Sequence, residues 1–137
     1  MGDKIKYMKG YKYQLHETYS VMIPIKPEHN IVTEYIELSA FGLLTIKEGY
    51  AWDGPSGPTI DTKTSMRGAL VHDSLYQLLR EKLLDKSLRP QCDQIAHDIW
   101  VEDGMYEWRA ALWKRELEKF AGYAADPKNK KEVLIAP

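Results

Sequence analysis

The sequence predicts an α+β protein, with an N-terminal antiparallel β-sheet or half-barrel followed by a three-helix C-terminal half. Two observations carry that expectation. Apolar residues alternate with polar ones through the first third of the chain, and after residue 64 they recur every three to four positions. A third observation separates the halves: Gly54 to Pro58 reads Gly-Pro-Ser-Gly-Pro, which supports neither a helix nor a central strand.

The expected strands are Tyr11 to Leu15, Tyr19 to Ile23, Ile31 to Leu38 and Phe41 to Ile46, with Pro24, Pro27, His29 and Asn30 as turn material. Residues 53–63 form a shaped loop. Thr64 or Ser65 then caps a first helix through its hydroxyl, and Leu70, Val71, Leu75, Leu78 and Leu79 form its buried stripe, ending near Leu84. Arg89-Pro90 opens a second helix with Ile95, Ala96, Ile99 and Trp100 inward, closed by Gly104. A third helix carries Met105, Trp108, Leu112, Trp113, Leu117 and Phe120 on its apolar side, and the tryptophans at 100, 108 and 113 read as core. The helical part runs over 64–123, and 124–137 is an extended tail.

At 137 residues one domain is expected. Lys and Arg total 19 against 20 for Asp and Glu, so no global field draws the chain to nucleic acid. The late lysines 128, 130 and 131 read as a solvated tail. Cys92 has no second cysteine to pair with and reads as an ordinary helix residue. No apolar run approaches the roughly 18 to 20 residues of a membrane span, and the lysine-bearing N-terminus has no signal-peptide pattern, so neither a transmembrane segment nor classical secretion is expected.

The chemistry-bearing residues cluster on the first two helices. His72 shares a helix face with Tyr76, and a short link around Asp85 to Leu88 folds the second helix back so that Asp93 can meet His72. A carboxylate accepting one imidazole N–H leaves the other nitrogen to take a proton from water, the minimum apparatus of general-base hydrolysis. Asp73 is rotated about 100° from His72 and can face the glycine-proline loop, giving the all-oxygen environment calcium prefers. The structural alternatives are a packing histidine at 72, an ion pair of Asp73 with Arg67 or Arg80, and a plain β-to-α corner at the loop. A zinc site built from His72, His97 and an aspartate is a further, weaker alternative.

The run Trp52-Asp53-Gly54-Pro55-Ser56-Gly57-Pro58, followed by His72-Asp73-Ser74-Leu75-Tyr76 and then Asp93, resembles the phage and prophage domain-of-unknown-function family 1353. That resemblance covers most of the chain and implies a phage-encoded protein, in the host cytoplasm or the phage particle, without assigning a reaction. The same order of motifs is similar, more distantly, to phospholipase A2, and the short gap from His72 to Asp93 is closer to its parvovirus capsid form. What this similarity implies is a calcium-assisted hydrolase acting on a lipid or other ester. His72 would be the base, Asp93 its orienting partner and Tyr76 a support for Asp93. Asp73 would be the calcium carboxylate, with main-chain carbonyls at Trp52, Gly54 and Ser56 completing the shell. The chain lacks the paired cysteines of the secreted enzymes, and its β-rich first third has no counterpart in the viral form. A non-enzymatic accessory or virion protein, associated with other phage structural proteins, is the expectation of a different class.

Overall fold

The structure is a computed structural model that describes residues 7–8, 13–52 and 64–125, with side chains over 13–52 and 64–119. The fold class is α+β, as the patterning requires. The described residues fall into two compact units, one of strands and one of helices.

Among the described residues the β unit holds seven short strands: β1 Tyr7–Met8, β2 Tyr13–Leu15, β3 Tyr19–Met22, β4 Ile31–Val32, β5 Ile36–Leu38, β6 Leu43–Ile46 and β7 Ala51–Trp52. They make two antiparallel sheets, ordered β1-β2-β7 and β3-β6-β5-β4. In the larger sheet Ile36 pairs with Ile46 and Leu38 with Leu44, and all four are fully buried. The intervening positions turn the other way: Ser20 pairs with Thr45 through their hydroxyls at 3.1 Å, and Lys47 bridges Glu37 at 2.7 Å. Period-two alternation thus fixes the register, since a one-residue slip would expose those four side chains, each worth about 1.5–3 kcal/mol of burial.

Strand boundaries differ from the patterning where side chains compete for backbone groups. Ile31 to Leu38 is not one strand but a hairpin, because the Thr33 hydroxyl accepts the Ile36 N–H at 2.9 Å and the Thr33 N–H donates to the Ile36 carbonyl at 2.8 Å. Phe41 lies in a turn, exposed, before Gly42 at φ 98°, and β6 begins only at Leu43. Trp52 ends the β-rich part in β7, paired with Tyr13 and stacked on Tyr50. Residues 53–63 lie outside the described residues, and with them the loop expected there.

The helical unit contains α1 Met66–Arg80, α2 Arg89–Glu102 and α3 Glu107–Ala125, with a one-turn 3-10 helix at Lys86–Leu88 between the first two. Ser65 stands at the N-cap of α1, yet its hydroxyl makes no capping bond, contrary to expectation; its carbonyl instead accepts the Ala69 N–H and the Trp100 indole N–H. α1 ends at Arg80, not Leu84. Lys82 takes φ 61°, and the N–H groups of Leu83 and Leu84 fold back onto the Leu78 carbonyl, which closes the helix. α2 starts with Pro90 in its first turn and is closed by Gly104 at φ 106°, where a positive φ favours glycine.

α1 is buried on nearly every side, well beyond its leucine stripe. Trp100 and Trp113 meet edge to face at 5.4 Å in a cluster with Ala96, Met105 and Ala110. Trp108 is not core: it is 68% exposed, and Leu112 is exposed as well. The inward face of α3 is centred on Ala110, Trp113 and Leu117, and Trp108 sits about 140° round the helix from Trp113. The tail expected at 124–137 lies outside the described residues, apart from the last helical residues up to Ala125. No helix among the described residues is long and apolar enough to cross a membrane.

At Gly68, α1 lies directly against α2. A Cβ there would collide with the Trp100 indole, so a residue that weakens the helix by about 1 kcal/mol relative to alanine is retained for packing. Gly68→Ala is therefore expected to destabilise the protein by about 1–3 kcal/mol in chemical denaturation despite its better helix propensity. A gain in stability would show that the two helices do not pack this tightly.

Candidate active site

α1 and α2 meet in a regular antiparallel series that brings the predicted residues together. Arg67 near the start of α1 binds the end of α2, Gly68 packs on Trp100, and one to two turns later His72 and Tyr76 both reach Asp93. This follows from sequence spacing: residues 68, 72 and 76 are four apart on α1, and 93, 96 and 100 are three to four apart on α2, so each set lines one face.

At the centre, His72 Nε2 lies 2.7 Å from Asp93 Oδ1, and the Tyr76 hydroxyl donates to the same oxygen at 2.6 Å. The rings of His72 and Tyr76 stack at 4.1 Å between centroids, so each limits the other's rotation. Asp93 is 1% exposed, and its Oδ2 is buried with no hydrogen-bond partner among the described residues. A buried carboxylate with one oxygen unserved is costly, and the donors on Oδ1 offset that cost. Since Asp93 accepts, the proton sits on Nε2 of His72, and Nδ1 carries the lone pair whenever the ring is neutral.

Asp73 occupies the other side of the ring. Its Oδ1 is 3.9 Å from His72 Nδ1, too far for a hydrogen bond and close enough for its charge to act. Asp73 is half-buried, the one residue between Met66 and Leu79 that solvent reaches. Burial by itself pulls the His72 imidazole below its ordinary value of 6.5, but Asp73 and Asp93 together outweigh burial and hold it above. The Tyr76 hydroxyl is pushed upward by burial and by the Asp93 carboxylate, so it remains a donor. Cys92 is pushed up to about 12 by burial and by Asp93, leaving it an inert thiol.

Arg67 does not pair with Asp73: it binds Asp103 through Nε at 3.0 Å and Nη2 at 2.8 Å, and Glu102 as well. That buried arginine was missed in the sequence. Its signal was a cation at a buried position of α1 opposite the acidic pair that ends α2. His97, the second imidazole of the zinc alternative, engages Asp98 through Nδ1 and Glu107 through Nε2, each at 2.9 Å. Among the described residues no group of three or more His, Cys, Asp or Glu side chains is arranged to hold a metal. Trp52 lies in the β unit, and Gly54 and Ser56 lie outside the described residues.

Two outcomes test this geometry. The His72 ring, followed by NMR, should titrate above pH 6.5, with a lower midpoint in Asp73→Asn; a wild-type midpoint at or below 6.5 contradicts the arrangement. Because the folded value exceeds that of the unfolded chain, His72 contributes stability that is complete below about pH 6.5 and lost as pH rises through the folded value. Tyr76→Phe, which removes a donor to a buried carboxylate, should cost about 1.5–3 kcal/mol in denaturation, and a neutral effect would show that Asp93 does not depend on it. Comparison with protein-family models, curated proteins and solved structures finds no match, so the site is interpreted from its own geometry.

Proposed function

We propose that the chain is a small phage- or prophage-encoded hydrolase in which His72 acts as general base toward an ester bond. The observation that carries this reading is the 2.7 Å bond from His72 Nε2 to buried Asp93, which directs the remaining nitrogen, Nδ1, to the side of half-buried Asp73. In the neutral ring Nδ1 takes a proton from water as the water attacks, and Asp93 stabilises the imidazolium that forms. Tyr76 is a positioning residue: its hydrogen bond and its stacking hold Asp93 and the imidazole in line.

Asp73 suits a hard cation. Its carboxylate is half-exposed and is not bound by Arg67, so it would be the charged ligand of calcium. Calcium, when bound, supplies Lewis-acid polarisation of the carbonyl or phosphoryl oxygen under attack. Zinc is the less suitable metal, because His97 is already engaged at both ring nitrogens. The substrate in this reading is a lipid or other ester, and the place of action is the host cytoplasm or the phage particle.

The burial of His72, which is 4% exposed, favours a second reading. In it the protein is a non-enzymatic accessory or virion component, and the His72, Asp93 and Tyr76 cluster only locks α1 to α2.

The two readings part in one experiment on the purified chain with a short-chain phospholipid and a nitrophenyl ester in calcium. The hydrolase reading expects turnover that rises with pH through the His72 titration, at least 100-fold loss in His72→Gln, and loss on chelation. Turnover unchanged in His72→Gln, or no turnover at all, removes it. The structural reading expects His72→Gln to lower the melting temperature and calcium to leave it unmoved.

A further inference from the structure

Between Met66 and Leu79 only Asp73 escapes burial, and Arg80, the last residue of α1, is the next side chain that solvent reaches. Seven positions apart, they lie about 20° from each other round the helix and about 10 Å apart along it. One side of α1 therefore has a carboxylate at one end and a guanidinium at the other, each reached by solvent, with buried Gln77 between them. Tyr76 lies between them, within about 60° of each.

Arg80 is not placed as an ordinary surface arginine. Its Nε is buried without a hydrogen-bond partner, and among the described residues no carboxylate pairs with it. The C-terminal end of α1 favours a cation there, which accounts for the charge. It does not account for a buried donor lacking an acceptor, an arrangement that native proteins rarely leave uncompensated.

Arg89 is the second half of the feature. It opens α2, whose first turn has no acidic side chain, at a helix end that disfavours a cation. Among the described residues no carboxylate pairs with it either. The pairings between the helices step forward along α1 as they step back along α2, from Arg67 with Asp103, through Gly68 with Trp100, to Tyr76 with Asp93. By helical geometry that register, continued for one turn, sets Arg80 opposite Arg89.

We propose that Arg80 and Arg89 together bind a phosphate group, and that this group belongs to the ester hydrolysed over His72. The anion site stands on the two arginines alone; assigning the phosphate to a substrate rests on the hydrolase reading. Each guanidinium presents a planar fork of N–H donors that matches two phosphate oxygens. A phosphate has charge and acceptors for both forks, whereas a carboxylate has one charge and two oxygens. The phosphate would lie about 12 Å along α1 from His72, eight residues away, so the ligand is a phosphate ester long enough to span that distance.

Inorganic phosphate titrated into the full chain at constant ionic strength tests the proposal, read by the melting temperature and by the Arg80 Nε–H resonance. The expected result is saturable stabilisation with a shifted Arg80 resonance, at least tenfold weaker apparent affinity in Arg80→Gln and in Arg89→Gln, and undiminished binding in His72→Gln. Arg80→Lys keeps the charge and loses the fork, so it should also bind more weakly and serves if the glutamine variant does not fold. No saturable effect of phosphate, or an affinity unchanged in both arginine variants, overturns the proposal. Phosphate binding that persists in a chain hydrolysing no ester supports the anion site and removes only the hydrolase reading.

Discussion

The burial of the Asp93 carboxylate is the constraint on which the rest of the helical unit depends. A carboxylate removed from water costs several kcal/mol unless donors replace the lost hydration. Here the replacements come from one neighbouring helix, His72 and Tyr76 a single turn apart, both on Oδ1. That requirement fixes the rotation of α1 about its axis and its register along α2. Arg67, bound to Asp103, repeats the constraint at the other end, and Gly68 between them lets the helices come close enough for both.

The same interactions define the chemistry open to the site. Holding Asp93 stabilises the protonated ring, and Asp73 adds to that, so His72 is a stronger base than a free histidine and is neutral over a narrower range of pH. A base of this kind gains driving force for proton removal and loses population of its working form below its titration point. A cation beside Asp73 would offset the charge of Asp73 and draw the titration back down. In the proposed calcium reading, metal, proton and water would compete for one small region of α1, whose single solvent-reached residue between Met66 and Leu79 is Asp73.

Much of this was legible in the sequence, for reasons that can be named. His72, Tyr76 and Asp93 could be brought together because helical spacing and a short connection leave few ways for two amphipathic segments to pack. The strands were legible where side chains alternate cleanly, as at Leu44 and Ile46. Periodicity failed where it was not the deciding force. Thr33 broke an apparent strand with its own hydroxyl, and Lys82 ended α1 a turn early by adopting a left-handed conformation that its side chain does not advertise. Trp108 entered the apolar count of α3 and lies on the opposite side from Trp113, since hydrophobicity alone does not say which of two apolar stripes faces inward. The buried Arg67 was hidden because its partners, Glu102 and Asp103, are 35 and 36 residues away.

The central claim is that His72 and Asp93 are energetically coupled rather than merely adjacent. A double-mutant cycle with His72→Gln, Asp93→Asn and the pair, measured by urea denaturation at pH 6, isolates that coupling from the other effects of each substitution. The account predicts that the two losses fall short of additivity by at least about 1 kcal/mol, since either change alone already breaks the bond. Losses that add to within about 0.3 kcal/mol would mean that the buried carboxylate does not depend on the imidazole, and would contradict the account.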